Sequence, residues 1–155
     1  MDFTIRKATI EDAQAIGDMI KEFQVYLSKL GDSTDFNFNA EAYATEGFGP
    51  SPSFSGFVAE SAGEVIGYLL YHFGYDTDLA QRLVFVIDLY VKGTWRQRGV
   101  GRALMQSVTD IGRVHGAKSL IWSVYRPNVQ AIDFYKSLGA RTIDLEFMEM
   151  KIGDS

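Results

Sequence analysis

The stretch Leu89–Ala103, LYVKGTWRQRGVGRA, constrains this chain more than any other. It begins as a β-branched and aromatic run, breaks at Lys92-Gly93, and carries two glycines one residue apart, Gly99 and Gly101. A helical pattern follows, with Val100, Leu104, Val108 and Ile111 at three- and four-residue spacing. Strand, glycine turn and helix start together build an anion cradle. Glycine lets the backbone turn tightly, and the first N–H groups of a helix lack an internal acceptor. Those donors and the positive end of the helix dipole attract negative charge. Lys92, Arg96, Arg98 and Arg102 lie in the same stretch with no acid between them. A polyanion is the expected ligand.

Two phosphate-binding patterns are excluded. Leu104 stands where a dinucleotide fingerprint needs its third glycine, and no Gly-Lys-Ser/Thr follows the turn, so this is not a Walker A loop.

The rest of the chain sets bounds. Its 155 residues, 46% hydrophobic, suffice for one domain, residues 1–155, with a real core. No apolar run approaches the ~18–20 residues needed to cross a bilayer. The N-terminus MDFTIRKATIEDA lacks the layout of a secretion signal. With no cysteine there is no disulfide framework and no thiol nucleophile, and two isolated histidines, His72 and His115, give no basis for a metal site. A cytoplasmic protein without membrane attachment is expected. The net charge of −5 hides a division. Residues 1–81 balance at −9, residues 82–126 at +6 and the remainder at −2. One segment suits a polyanion, and its acidic flanks favour a cation over nucleic acid.

In order, Phe3–Lys7 alternates as a first strand, and Thr9 caps a helix whose buried stripe is Ile10, Ala13, Ile16, Ile20, Phe23 and Leu27. Residues 32–54 are irregular, with a turn or two of helix near Ala40–Glu46. Phe57–Glu60 and Val65–Phe73 form a hairpin about Ser61-Ala62-Gly63. After a loop containing Asp76 and Asp78, Leu83–Val91 feeds the cradle. Ser119–Tyr125 is a strand, Arg126-Pro127-Asn128 opens a short helix with Ala131, Ile132, Tyr135 and Leu138 inward, and Thr142–Met150 alternates as a last strand. The expected order is β-α-(α)-β-β-β-α-β-α-β, an α/β fold with a mixed, mostly antiparallel sheet and helices on both faces.

Arg96-Gln97-Arg98-Gly99-Val100-Gly101 resembles the R-x-x-G-x-G pyrophosphate loop of the GNAT superfamily of N-acetyltransferases. The order of elements and the later RPNVQAIDFYKSLGA are similar to that superfamily over nearly the full length. YHFGYDTDLAQRLVFVIDLYV and WSVYRPNVQAIDFYKSLGA are most like its diamine and thialysine acetyltransferase branch, although Pro127 stands before Asn128 where the branch has tryptophan.

The resemblance implies acetyl-CoA as co-substrate, no metal, a small-molecule amine as acceptor and a homodimer. It places the cofactor's pantetheine arm along the backbone of Leu89, Tyr90 and Val91, with the Val91 N–H at the thioester carbonyl. Arg96, Gln97, Arg98, Gly99, Val100, Gly101 and Arg102 match the pyrophosphate loop. Asn128 matches a contact to the cofactor arm, with Ala131 close by, and Tyr135 matches the general acid. From the residues alone, Asn128 reads as a helix cap and Tyr135 as a packed aromatic.

The branch carries a glutamate, its proposed general base, immediately before the aspartate of its central strand. Here that position is Ile87, followed by Asp88. Neighbouring strand residues point to opposite faces, so Asp88 is a candidate for proton transfer or for orienting the amine rather than a direct replacement. Asp76 is a second candidate for binding a cationic acceptor. The implied activity is N-acetyl transfer to a small cationic amine. Acetylation of a protein lysine or N-terminus, or acyl-CoA sensing without turnover, are the alternatives.

Overall fold

A computed structural model describes residues 2–153. Five strands form one sheet in the order β1-β2-β3-β4-β5. They are β1 (Thr4–Lys7), β2 (Ser55–Ser61), β3 (Glu64–Asp76), β4 (Gln81–Val91) and β5 (Ala117–Ile121). The first three pairings are antiparallel and β4–β5 is parallel. The helices are α1 (Ala13–Lys29), α2 (Ala40–Gly47), α3 (Val100–Val114) and α4 (Val129–Ser137).

Each face of the sheet has its own core. On one, Val58, Tyr68, Leu70 and Tyr90 pack beneath α1 and α2, with Ile16, Met19 and Ile20 from α1 and Tyr43 from α2. On the other, Leu69, Tyr71, Val84 and Val86 meet Val100, Leu104, Met105 and Val108 of α3, with Tyr135 and Leu138 of α4 at the margin. Burying each of the large aliphatic side chains contributes about 1.5–3 kcal/mol. The expected stripe of α3 is therefore a core face. In α1 the stripe includes Met19, fully buried, whereas Ile10 lies before the helix and is 46% exposed.

The start of α1 is fixed by ions. Arg6 on β1 grips Asp12 through both terminal nitrogens at 2.9 and 2.8 Å, and its Nε donates to Glu60 at 2.8 Å. Asp12 also accepts from the Thr9 N–H at 2.8 Å. Burial is the largest single influence on Asp12 and pushes its carboxyl up. The hydrogen bonds from Arg6 and Thr9 outweigh it, and the carboxyl titrates below its ordinary range.

The structure corrects three expectations. β5 ends at Ile121 rather than Tyr125, because the chain leaves the sheet there. The Thr142–Met150 segment forms no strand; it is exposed, with Leu145 and Phe147 at 73% and Met148 at 93%. Its apolar residues switch face between Phe147 and Met148, and Phe147 touches the fold edge-on at Phe85, ring centroids 6.4 Å apart. Last, β4 does not alternate throughout. Leu70 pairs with Asp88 and Tyr71 with Val86, so Ile87 is an extra residue, a β-bulge. Val86 faces the core beneath α3. Asp88, two residues on, faces Tyr68 in the core beneath α1. Strict alternation puts both on one side.

Candidate active site

The parallel pairing of β4 with β5 stops at Phe85–Ile121. Beyond it the strands part, and among the described residues no strand lies beside the β5-facing edge of β4 from Ile87 to Val91. The notch opens into a cavity of about 780 Å³ whose walls come from α1, the end of β4, the turn before α3, the segment after β5, and α4. All of the expected pyrophosphate-loop and strand positions except Arg98 and Val100 line it, together with Asp88, Asn128, Ala131 and Tyr135, whereas Lys92 lies outside it and pairs with Glu64 at 2.8 Å. Asp76 does not. It sits at the far tip of the β3–β4 hairpin, where its Oδ1 accepts the Leu79 N–H at 3.1 Å and holds the turn.

The turn before α3 behaves as its glycines require. Gly99 adopts φ of +88°, and Gln97, without that freedom, is held at φ +60°. The first backbone hydrogen bond of the helix runs from the Ala103 N–H to the Gly99 carbonyl at 3.0 Å. The N–H groups of Val100, Gly101 and Arg102 thus have no acceptor within the helix and remain at the rim of the notch. Gly101 has a further reason to be glycine: a Cβ there would stand 3.0 Å from the Phe134 ring of α4.

The arginines divide their labour. Arg102 is exposed at the helix start. Arg98 lies over the Trp95 ring, 4.1 Å from its centroid, and donates to the Thr94 carbonyl at 3.3 Å. Arg96 turns inward. Its Nε donates to the Val91 carbonyl at 3.0 Å, and its guanidinium rests 5.2 Å from the ring centroids of both Tyr26 and Tyr90. Tyr90 in turn gives its O–H to Glu22 at 3.1 Å. Arg96 braces the end of β4 against α1 in this arrangement.

Across the notch, Asn128 is buried and serves two donors through one oxygen. Its Oδ1 accepts the Ala131 N–H at 3.3 Å, capping α4, and the Tyr26 O–H at 3.0 Å. Capping is therefore real, and the amide nitrogen is the part of the side chain left for a ligand. Tyr135 packs on Trp122 at 4.9 Å between centroids. Burial first, and the negative charge of Asp88 second, push its hydroxyl up to about 12. Asp88 is itself pushed up to about 6 by burial, against the opposing influence of the Tyr68 hydroxyl. One cavity thus contains a carboxylate that titrates near neutrality and, within its field, a phenol that keeps its proton.

Sequence reasoning missed Phe23, Tyr26, Asp32, Trp122 and Tyr125, which also line the cavity. Phe23 read as core stripe, Trp122 and Tyr125 lay in the quoted WSVYRPNVQAIDFYKSLGA stretch without an assigned role, and Tyr26 and Asp32 carried no motif. Among the described residues no group of three or more metal-ligating side chains is assembled, and no helix is long and apolar enough to cross a membrane.

A model of the acetyltransferase (GNAT) family matches residues 19–140. The chain is 35% identical over 147 residues to a thialysine N-epsilon-acetyltransferase of Sus scrofa, covering 90% of this chain and 84% of that protein. It is 28% identical over 87 residues to an L-ornithine N5-acetyltransferase of Arabidopsis thaliana, covering 55% of this chain and 38% of the other. Among solved structures, a variant of a Bacillus halodurans protein superposes with a TM-score of 0.80 at 23% identity, covering 96% and 99% of the two chains. An aminoglycoside acetyltransferase from a soil metagenome, solved with sisomicin, gives 0.74 at 18% identity and 97% coverage of both. By sequence and by fold the chain belongs to the GNAT family of acetyltransferases, and it is an acetyl-CoA-dependent N-acetyltransferase.

Proposed function

We propose that this enzyme acetylates the primary amine of a small cationic molecule by direct attack within a ternary complex. The observation that carries this reading is the pairing of Asp88 with Tyr135 in one notch, beside the unpaired edge of β4. The free N–H groups at the start of α3, with Arg102 beside them, fit a pyrophosphate. The Leu89 backbone, on the open edge of β4, fits an amide-bearing arm, and the Val91 N–H, whose own carbonyl is taken by Arg96, is a donor for the thioester oxygen.

A primary amine has a pKa near ~10.4 and must lose a proton before it attacks. The ionised Asp88 carboxylate accepts that proton and passes it to water. Nitrogen then bonds to the carbonyl carbon, the carbonyl oxygen becomes an oxyanion facing the Val91 N–H, and the C–S bond breaks as the intermediate collapses. Tyr135 gives its hydroxyl proton to the departing sulfur. The second proton shed by nitrogen restores Tyr135, so one proton reaches solvent per turnover. The enzyme forms no covalent bond, consistent with a chain that has no cysteine.

A cationic acceptor is supported by Asp88 and Asp32 on the cavity walls and by the aromatic surfaces of Phe23, Tyr26 and Tyr125. The thialysine and ornithine enzymes among its relatives support an amino-acid-like or diamine acceptor. A walled cavity suits a small molecule better than a peptide. The fold acts as one domain, in a cytoplasmic setting. It pairs with a second copy through the exposed apolar segment after α4, which a monomer leaves uncovered.

Thiol release from acetyl-CoA, screened against diamines, ornithine- and lysine-like amino acids and lysine peptides, tests this. Small cationic amines are expected to give the highest kcat/KM. A best acceptor that is neutral, anionic or a folded protein defeats the substrate assignment, and no turnover with any amine defeats the reaction.

A further inference from the structure

Tyr68 lies in the middle of β3, fully buried in the apolar layer beneath α1. Its register partner on β4 is Tyr90, the two rings 6.5 Å apart. In such a place tyrosine differs from phenylalanine by one polar atom, and a buried hydroxyl left unpaired costs about 1–3 kcal/mol. Among the described residues, Tyr68 Oη is the one buried side-chain nitrogen or oxygen without a hydrogen-bond partner of standard geometry. The hydroxyl of its register partner Tyr90 gives its proton to Glu22 and makes no bond with Tyr68. The charged group that Tyr68 faces is the Asp88 carboxylate, close enough for each to alter the titration of the other. They meet because Asp88, paired with Leu70 beyond the extra residue at Ile87, faces the α1 side.

We propose that Tyr68 is the positioning residue for Asp88, its O–H turned onto the carboxylate and holding that carboxylate ionised and aimed into the notch. This rests on Asp88 as proton acceptor. A carboxylate in a closed site loses hydration and drifts toward the neutral form, which cannot take a proton from an ammonium ion. A donor on its rear oxygen opposes the drift. Burial and the charge of Asp88 hold the Tyr68 hydroxyl far above its ordinary range, so it orients without giving up its proton. The proton moves from the ammonium nitrogen to Asp88 and then to water, and the Tyr68 O–H bond stays intact.

The other polar groups nearby are accounted for. Tyr135 approaches from α4 and is engaged by the leaving sulfur in the proposed reaction. Tyr90, between Glu22 and Arg96, is already paired, and Asp32 and Asp133 stand on the outer walls of the cavity. Among the described residues, Tyr68 is the one whose buried side-chain donor is unused. The sequence conceals it as one more aromatic in an apolar strand.

Tyr68→Phe is the test, because it removes one oxygen and leaves the ring. The Asp88 titration is followed by ¹³C-carboxyl NMR on the unliganded enzyme, alongside the pH profile of kcat/KM in wild type, Tyr68→Phe and Asp88→Asn. In Tyr68→Phe the Asp88 midpoint is expected to rise by about half to one unit. The acid limb of kcat/KM should move with it, lowering activity at pH 6 about two- to fivefold, while the KM for acetyl-CoA stays unchanged. An Asp88 midpoint unmoved by Tyr68→Phe overturns the proposal alone. An Asp88→Asn enzyme that keeps its rate and its acid limb overturns the reading of Asp88, and the proposal with it.

Discussion

The Tyr26 hydroxyl donates to Asn128 Oδ1 at 3.0 Å and so ties α1 to the first turn of α4 across 102 residues of sequence. The same tyrosine ring supports the Arg96 guanidinium. One side chain thereby joins three walls of the notch. Tyr26→Phe keeps the ring beneath Arg96 and removes only the tie. A neutral hydrogen bond contributes about 0.5–1.5 kcal/mol net, so the melting temperature should fall by a few degrees. The KM for acetyl-CoA should rise several-fold as the start of α4 loosens, with kcat within about twofold. Steady-state kinetics and a thermal melt check both, and an unchanged KM detaches Tyr26 from the cofactor side.

Tyr135→Phe separates chemistry from packing. The ring packed against Trp122 remains, so melting temperature and cofactor affinity should hold. General acid catalysis contributes ~10²–10⁴ in rate, and kcat should drop within that range. A kcat within about threefold of wild type, roughly 0.7 kcal/mol of barrier, removes Tyr135 from the reaction.

Asp88 also carries a stability signature. Its folded pKa, about 6, lies above the ordinary carboxylate value of 3.8. The unfolded chain therefore binds fewer protons between those values, and stability falls as pH rises through roughly 4 to 6. Above that window the cost of the buried charge is fully present. Asp88→Asn should then be more stable than wild type at pH 7–8 by about 1–3 kcal/mol, with the gap closing below pH 4, while its activity at neutral pH collapses. Chemical denaturation at pH 4 and pH 7.5 reads the difference. Wild type gaining on the variant as pH rises would reverse the sign and defeat the assignment.

Gly101→Ala tests two roles at one position. The new methyl group meets Phe134 at 3.0 Å, so α3 and α4 must part slightly, costing about 1–3 kcal/mol. Pairing it with Phe134→Leu gives the methyl room. Stability that returns while acetyl-CoA affinity stays low shows that the glycine also serves the ligand. Recovery of both by calorimetry assigns it to packing alone.

Much of this architecture was legible in the residues. The apolar spacing of Val100, Leu104 and Val108 identified a core face because a helix repeats its contacts every three or four positions, and only one layer was available to receive them. The turn at Gly99 was legible because positive φ leaves few residue choices. What escaped depends on partners distant in sequence. The bulge at Ile87 arises from pairing with β3, which no local pattern records. The end of β5 is set where β4 and β5 diverge, and Tyr125 is as strand-prone as Ile121. Arg96 read as a phosphate ligand, yet the tyrosines that hold it come from α1 and β4. The Thr142–Met150 alternation, which breaks between Phe147 and Met148, misled: a period of two shows only that a segment can pair, and among the described residues it pairs with nothing.

The extra residue at Ile87 makes β4 a strand with two phases. Before it, the even-numbered positions belong to the layer beneath α3; after it, to the layer beneath α1. The pairing with β3 runs unbroken on both sides of it, Tyr71 against Val86 and Leu70 against Asp88. Without Ile87, Val86 and Asp88 would be neighbours on a regular strand and would still face opposite layers. The extra residue therefore adds slack rather than a change of face: a half-exposed, unpaired position and a local bend where β4 parts from β5 and the notch begins.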